Sequence, residues 1–295
     1  MKKLILAAFL FVSTMSTNTL ADIKMGIILG FTGPIESLTP AMAGSAELAF
    51  KEASDSGKLL GGQKISVERA DSTCVDSAAA TTAAEGLISN GVVAIMGADC
   101  SGVTGAIATN VAVPNGVVMI SPSATSPGLT DLNDNGYFFR TAPSDARGGQ
   151  ILADITKDRK VKSVAITYTN NDYGKGLADV YKAAVEAHGI KVTTVAAHED
   201  GKADYSAEVA TLASAGGDAV AVIGYIDQGG KGIIQASLDS GAFDVFILSD
   251  GMIGDSLTDN FGKALNKSFG SLPGSTGKGA GVFADVAKAG GIDSS

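Results

Sequence analysis

From residue 23 onward the chain repeats one unit: a short apolar run followed by an Ala-rich amphipathic stretch. Residues 23–29 read as a first strand. Residues 40–54 read as a helix, with Thr39 as N-cap and Pro40 in the first turn. Residues 65–69 alternate as a strand does. Residues 76–90 form a helical pattern with Ala80, Ala83, Ala84 and Leu87 on one face, closed by Gly91. A strand over 92–96, a helix over 103–113 and a strand over 117–120 continue the alternation. It pauses at 131–144, which is rich in Asn, Asp, Gly and Pro, and restarts with a helix at Ser144. Strands then read at 163–169, 191–197, 219–223 and 245–248. Helices follow the first three, and the helix after residue 169 carries Leu177, Val180, Tyr181 and Ala184 on one face. Wholly apolar strands between helices require a parallel sheet covered on both faces. The reading is therefore α/β, with two doubly wound parallel-sheet lobes, a hinge and a ligand cleft between them. Residues 22–141 form the first lobe, 142–273 the second, and 274–295 return to the first.

The first 21 residues read as a secretory signal: Lys2 and Lys3, an apolar core over 4–12, and a small-residue site ending at Ala21. That core is far shorter than the ~20 residues a membrane span needs. The mature chain then begins at Asp22, outside the cytoplasm. The formal charge of the whole chain is −9, and removing Lys2 and Lys3 makes it more acidic still. An acidic chain without a basic stripe argues against nucleic acid. The pattern ends in a helix starting at Val282 with no strand after it, so a C-terminal truncation is expected.

Cys74 and Cys100 are the only cysteines. In an oxidising compartment a disulfide is expected, worth roughly 3 kcal/mol for a loop of that size. Two free buried thiols are the alternative. A metal site is disfavoured because the two histidines, His188 and His198, lie in another segment; both read as surface residues. Gly277-Lys278 invites a phosphate-loop reading, but Leu272 and Gly279 stand where that motif needs Gly and Ser or Thr. No Gly-x-Ser-x-Gly elbow follows a strand, and no nucleophile has a base beside it. The chain is read as a non-enzyme without cofactor or metal.

Polar residues gather at strand ends. Ser101, Thr125, Tyr173, Tyr225 and Asp250 each lie just past an expected strand, where ligands bind in open parallel sheets. The hydroxyls of Ser101 and Thr125, with nearby N–H groups, are placed to converge on a small anionic group. Taken singly, Ser101 reads as a helix cap.

In order along the chain stand Gly33-Pro34, the Cys74/Cys100 pair, Cys100-Ser101 and the run Ile120-Ser121-Pro122-Ser123-Ala124-Thr125. Then come Arg140-Thr141-Ala142-Pro143-Ser144-Asp145, Asp172-Tyr173-Gly174, Gly224-Tyr225 and Ser249-Asp250-Gly251. From Asp22 onward this series resembles the periplasmic substrate-binding proteins of branched-chain amino-acid ABC transporters. The resemblance implies that Ser101, Ser123, Ala124 and Thr125 line the site of the ligand's α-carboxylate. Ser101 would offer its hydroxyl, Ser123 its backbone, and Thr125 both. It implies that Asp250 pairs the ammonium and that Tyr173 and Tyr225 close over the ligand from the second lobe. Leu38 stands near a tyrosine of the leucine-binding members that lines the side-chain pocket. Asp250 stands where they carry glutamate, and Ser123 where they carry alanine. By the same resemblance the chain is a periplasmic monomer that captures an amino acid, aliphatic side chains favoured, and hands it to an inner-membrane ABC permease. A sensor domain for amino acids or amides, and a periplasmic hydrolase, are the rival readings.

Overall fold

The computed structural model describes residues 22–274, 277 and 279–292. The expected secretory segment (residues 1–21), Lys278 and Ser295 lie outside the described residues. The first sheet holds β1 (Ile23–Leu29), β2 (Ile65–Asp71), β3 (Ala94–Gly97), β4 (Val118–Ser121) and β5 (Phe138–Arg140), in the order β2-β1-β3-β4-β5. The second holds β6 (Ser163–Thr169), β7 (Lys191–His198), β8 (Ala219–Ile223), β9 (Phe246–Leu248) and β10 (Phe269–Gly270), in the order β10-β9-β8-β6-β7. Every pairing is parallel. Counted from its own first strand, each sheet has the same order, second-first-third-fourth-fifth. The apolar strands are buried as the sequence requires: all five positions of β8 are buried, as are Ile27, Ile28 and Leu29 of β1.

Nine α-helices flank the sheets among the described residues: α1 (Thr39–Asp55), α2 (Ser77–Ser89), α3 (Ser101–Ile107), α4 (Asp145–Asp158), α5 (Asp172–Ala187), α6 (Ser206–Ala215), α7 (Gly229–Ser240), α8 (Asp255–Phe261) and α9 (Gly279–Ala289). Local chemistry sets their starts. The Asp76 carboxylate accepts the Ala78 and Ala79 N–H groups at 2.9 and 3.0 Å, and α2 buries Ala80, Ala84 and Leu87. Ser144 caps α4 through the Ala146 N–H, and the Asn171 side chain caps α5 through the Gly174 N–H. β5 of the first sheet is followed along the chain by β6 of the second, and after β10 the chain comes back to α1, where Gly290 lies against Leu48.

Several expectations need correction. Thr39 does not cap α1; its hydroxyl turns back to the Glu36 carbonyl at 3.3 Å. The helix expected over 103–113 starts at Ser101 and loosens into a π-turn over Ala108–Ala112. The inward face of α5 carries Ala178 and Val185 with Leu177 and Tyr181, while Val180 and Ala184 are half-buried. Strands β5 and β10, three and two residues long, were hidden in polar segments. His198 is not a surface residue. It is 2% exposed, its Nδ1 lies 2.8 Å from Thr167 Oγ1, and Nε2 has no partner among the described residues. Burial disfavours the imidazolium and pulls its pKa down to about 4. His188 sits nearer the surface, with Nε2 2.7 Å from Asp154 Oδ1.

Cys74 and Cys100 form a disulfide, and both are buried. It fastens the loop after β2 to the end of β3. Replacing both cysteines by serine should lower the stability of the chain by about 3 kcal/mol. Urea unfolding of the oxidised parent and the double variant checks this.

Candidate functional site

The carboxyl ends of both sheets face one cavity of about 620 Å³ between the lobes. Leu38, Ser101, Ser123, Thr125, Tyr173, Tyr225 and Asp250 all line it. Ala124 does not. It is fully buried; its N–H donates to Ser121 Oγ at 3.0 Å and its carbonyl accepts from Arg140. Both of its backbone groups are thus already in use.

On the first lobe the donors are set by what they have already accepted. Ser101 Oγ receives the N–H groups of Thr125 (3.1 Å) and Ser126 (3.0 Å). Two accepted bonds occupy both lone pairs, so the hydroxyl proton is left to donate. This also commits the Thr125 N–H, while the Thr125 hydroxyl acts on the Asp145 carboxyl. Ser123 Oγ donates to the Asp99 carbonyl at 3.1 Å, while its N–H meets no acceptor among the described residues. Arg140, at the end of β5, holds the loop in place by donating to the Ser126 carbonyl at 2.8 Å and to Thr130 Oγ1 at 2.6 Å.

Behind these donors stands Asp99, 3% exposed. Its carboxylate accepts the Gly30 N–H at 2.7 Å, the Cys100 N–H at 2.9 Å and the Ser72 hydroxyl at 3.3 Å. Burial raises its pKa, and those hydrogen bonds pull it back.

The second lobe supplies rings and acid. Tyr173 and Tyr225 stack with centroids 5.2 Å apart and planes 18° from parallel. A Cβ on Gly174 would lie 2.1 Å from the Thr169 carbonyl. Only glycine allows α5 to start so close to β6, and that approach sets Tyr173 in the cleft. The Tyr173 hydroxyl lies 2.6 Å from Asp250 Oδ1 and accepts the Gly251 N–H at 3.1 Å. Burial raises the pKa of Asp250, against the lowering effect of the Tyr173 bond.

Asp145 is the site residue that sequence reasoning passed over. Following Ser144 at the start of α4, it reads as an ordinary first-turn acid. In the structure it is 4% exposed, Oδ2 has no hydrogen-bond partner among the described residues, and it lines a side cavity of about 120 Å³ that also touches Thr125 and Asp250. Burial and the charge of Asp250 push its pKa up to about 7, against the Thr125 hydroxyl and Arg140. Neither Asp145 nor Asp250 is in an ion pair among the described residues. The cavity thus sets neutral donors opposite the Asp250 carboxyl, with Asp145 beside Thr125 in the adjoining side cavity. At the Leu38 end, Ile35, Met42, Ile253 and Leu272 give it an apolar wall. The described residues contain no cluster of His, Cys, Asp and Glu able to hold a metal ion.

Comparison with known proteins gives a consistent result. Residues 22–276 match the family described as periplasmic binding protein. The chain is 33% identical over 211 residues to Leu/Ile/Val-binding protein homolog 3 of Brucella melitensis, covering 71% of this chain and 56% of that protein. It is 30% identical over 254 residues to the leucine-, isoleucine-, valine-, threonine- and alanine-binding protein of Pseudomonas aeruginosa, covering 85% of this chain and 66% of that one. The chain thus spans just over half the length of the Brucella relative. Among solved structures, the fold superposes on the branched-chain amino-acid transporter substrate-binding protein LivJ of Streptococcus pneumoniae, in complex with isoleucine. The TM-score is 0.77 at 24% identity, covering 91% of this chain and 77% of that one. A type 1 periplasmic binding protein of Bordetella pertussis gives a TM-score of 0.79 at 22% identity, covering 91% and 74%.

The raised pKa of Asp145 has a stability consequence. Its folded value, about 7, lies above the ordinary 3.8, so between pH 4 and 7 the folded state holds the proton more tightly than the unfolded one. Stability from this group is present at low pH and is lost as pH rises through 7. Asp145→Asn should therefore melt close to the parent at pH 4 and about 3 °C or more above it at pH 8. Melting curves of the ligand-free proteins at both pH values check this.

Proposed function

The chain belongs to the periplasmic binding protein family, and on that premise we propose that it is an extracytoplasmic receptor that captures an amino acid and presents it to an ABC permease. The observation that carries the reading is the polarity of the cleft. The Ser101 hydroxyl proton and the Ser123 N–H come from one side, with Thr125 beside them; the Asp250 carboxyl stands on the other, and Asp145 lies next to Thr125 in the adjoining side cavity. This arrangement complements a zwitterion. Neutral donors stabilise a buried α-carboxylate without a counter-charge. A primary ammonium offers three N–H groups, enough to reach both acids and relieve their mutual repulsion.

In this reading Ser101, Ser123 and Thr125 hold the carboxylate, Asp250 and Asp145 the ammonium, and the Tyr173/Tyr225 stack covers the ligand. Ala124 contributes by shaping the loop. Leu38 and its apolar neighbours face the ligand's side chain, which favours an aliphatic one, in keeping with the Leu/Ile/Val-binding names of the relatives. The ligand touches both lobes, so its binding energy favours the closed arrangement, and closure is a hinge motion about the passages near residues 142 and 272. The two lobes are the units 22–141 with 274–295, and 142–273. The chain acts as a monomer in the periplasm, the secretory segment at residues 1–21 directing it there. Nothing in the cleft supplies an activated nucleophile, so we read it as a receptor and not a hydrolase.

Thermal melting of the chain from Asp22 onward, with each amino acid and a few amides, is the direct test. A ligand at 100 times its Kd adds about 2.7 kcal/mol to stability. A shift selective for aliphatic amino acids is expected; no shift with any of them would overturn the reading. Asp250→Ala should weaken binding by about thirtyfold or more by stranding the ammonium, with far-ultraviolet circular dichroism unchanged. Affinity should rise with pH through 7, because the ammonium displaces the proton that Asp145 holds. Titration calorimetry of the parent and Asp145→Asn, which should lose that dependence, reads this out.

A further inference from the structure

At the mouth of the cleft the lobes touch through protein groups alone. The loop after β1 leaves Gly33 at φ 108°, where a Cβ would lie 2.5 Å from the Thr73 carbonyl. That turn throws residues 34–38 toward the second lobe. There the Pro34 carbonyl accepts the Asp227 N–H at 3.0 Å, and the Ser37 N–H donates to Asp227 Oδ2 at 2.9 Å. The other carboxylate oxygen, Oδ1, accepts from the Ser256 hydroxyl at 3.2 Å, which fixes its direction. Beside these bonds Leu38 packs against an apolar cluster that runs through both lobes and against a second cluster made of second-lobe residues. Its Cδ2 stands 3.1 Å from where a Gly254 Cβ would be, with Ile226 on the far side at 3.0 Å.

We propose that Asp227 is the latch of the closed form and Leu38 its apolar peg. Together they set how fast ligand leaves and how much of the ligand-free protein is closed. The inference rests on reading the cleft as a ligand site; the latch itself joins Asp227 to Pro34, Ser37 and Ser256. Asp227 also lies two residues beyond Tyr225, on the same turn. The loop bearing one wall of the cleft is thus tied to the loop bearing Ile35 and Leu38, the opposite wall. Closing the latch therefore fixes the width of the side-chain end of the cavity. Asp227 is a positioning residue, since it lies outside the cavity lining.

The test compares the parent with Asp227→Ala, Asp227→Asn and Leu38→Ala in the full chain. Asn keeps an acceptor for the Ser37 N–H but not the charge, so its effect should lie between parent and Ala. Two readouts are taken: the ligand-free radius of gyration by small-angle scattering, and the release rate of L-leucine by stopped-flow tyrosine fluorescence. Asp227→Ala should expand the ligand-free protein and release L-leucine about tenfold faster or more, with circular dichroism unchanged. A ligand-free radius unchanged in all three variants overturns the latch. If the parent fails to bind L-leucine or any other amino acid, the receptor reading falls, while the scattering comparison still decides the latch. If Asp227→Ala fails to fold, the same comparison is made on Asp227→Asn and Leu38→Ala.

Discussion

Three consecutive residues, Asp99, Cys100 and Ser101, hold the carboxyl ends of four strands in one arrangement. The Asp99 carboxylate takes the N–H of Gly30 at the end of β1 and the hydroxyl of Ser72 at the end of β2. Cys100 is bonded to Cys74 in the next turn of the β2 loop. Ser101 gathers the two N–H groups that follow β4. Each hydrogen bond alone is worth about 1 kcal/mol. Their joint effect is geometric: the loops that line the first lobe's half of the cleft cannot drift independently. A buried carboxylate with three donors is an expensive element unless all three are present, so the turn at Asp99 is specified as a unit.

The electrostatics of the cleft follow from that rigidity. The first lobe offers an anion only protons that its own acceptors have left over, and it brings no cation with which the anion could pair too strongly. The second lobe concentrates negative charge. Asp250 is buried against Tyr173, and Asp145 sits at the passage between lobes with an oxygen unmatched. Repulsion between the two acids raises the energy of the empty site. In the proposed reading, a ligand ammonium that relieves it gains that energy on binding.

Much of this was legible in the sequence, for identifiable reasons. Apolar runs separated by amphipathic ones fix parallel sheets and helices. The polar residues just past those runs, from Ser101 to Asp250, then fall at one end of each sheet. What could not be read depends on partners distant in the chain. Asp145 looks like a capping acid until Asp250 is brought beside it. Thr125 looks like a double donor until Ser101 claims its N–H. His198 stands in a polar run, yet β7 carries it under Tyr205 and Thr167 into the interior. Asp227 has no local signal at all, because its partners, Pro34 and Ser37, lie nearly two hundred residues earlier. β5 and β10 are too short for periodicity to register, and only pairing with β4 and β9 makes them strands.

The two sheets share one strand order and face each other with the same ends. Backbone topology alone would make such a cleft indifferent to which way round a small molecule entered. Direction is imposed by side chains: hydroxyl and amide protons on one rim, carboxyl oxygens on the other. In the proposed reading the repeated strand order thus becomes a polarised receptor, in which a dipolar guest has a head and a tail. The end of the guest that carries neither charge is left to meet the apolar wall around Leu38.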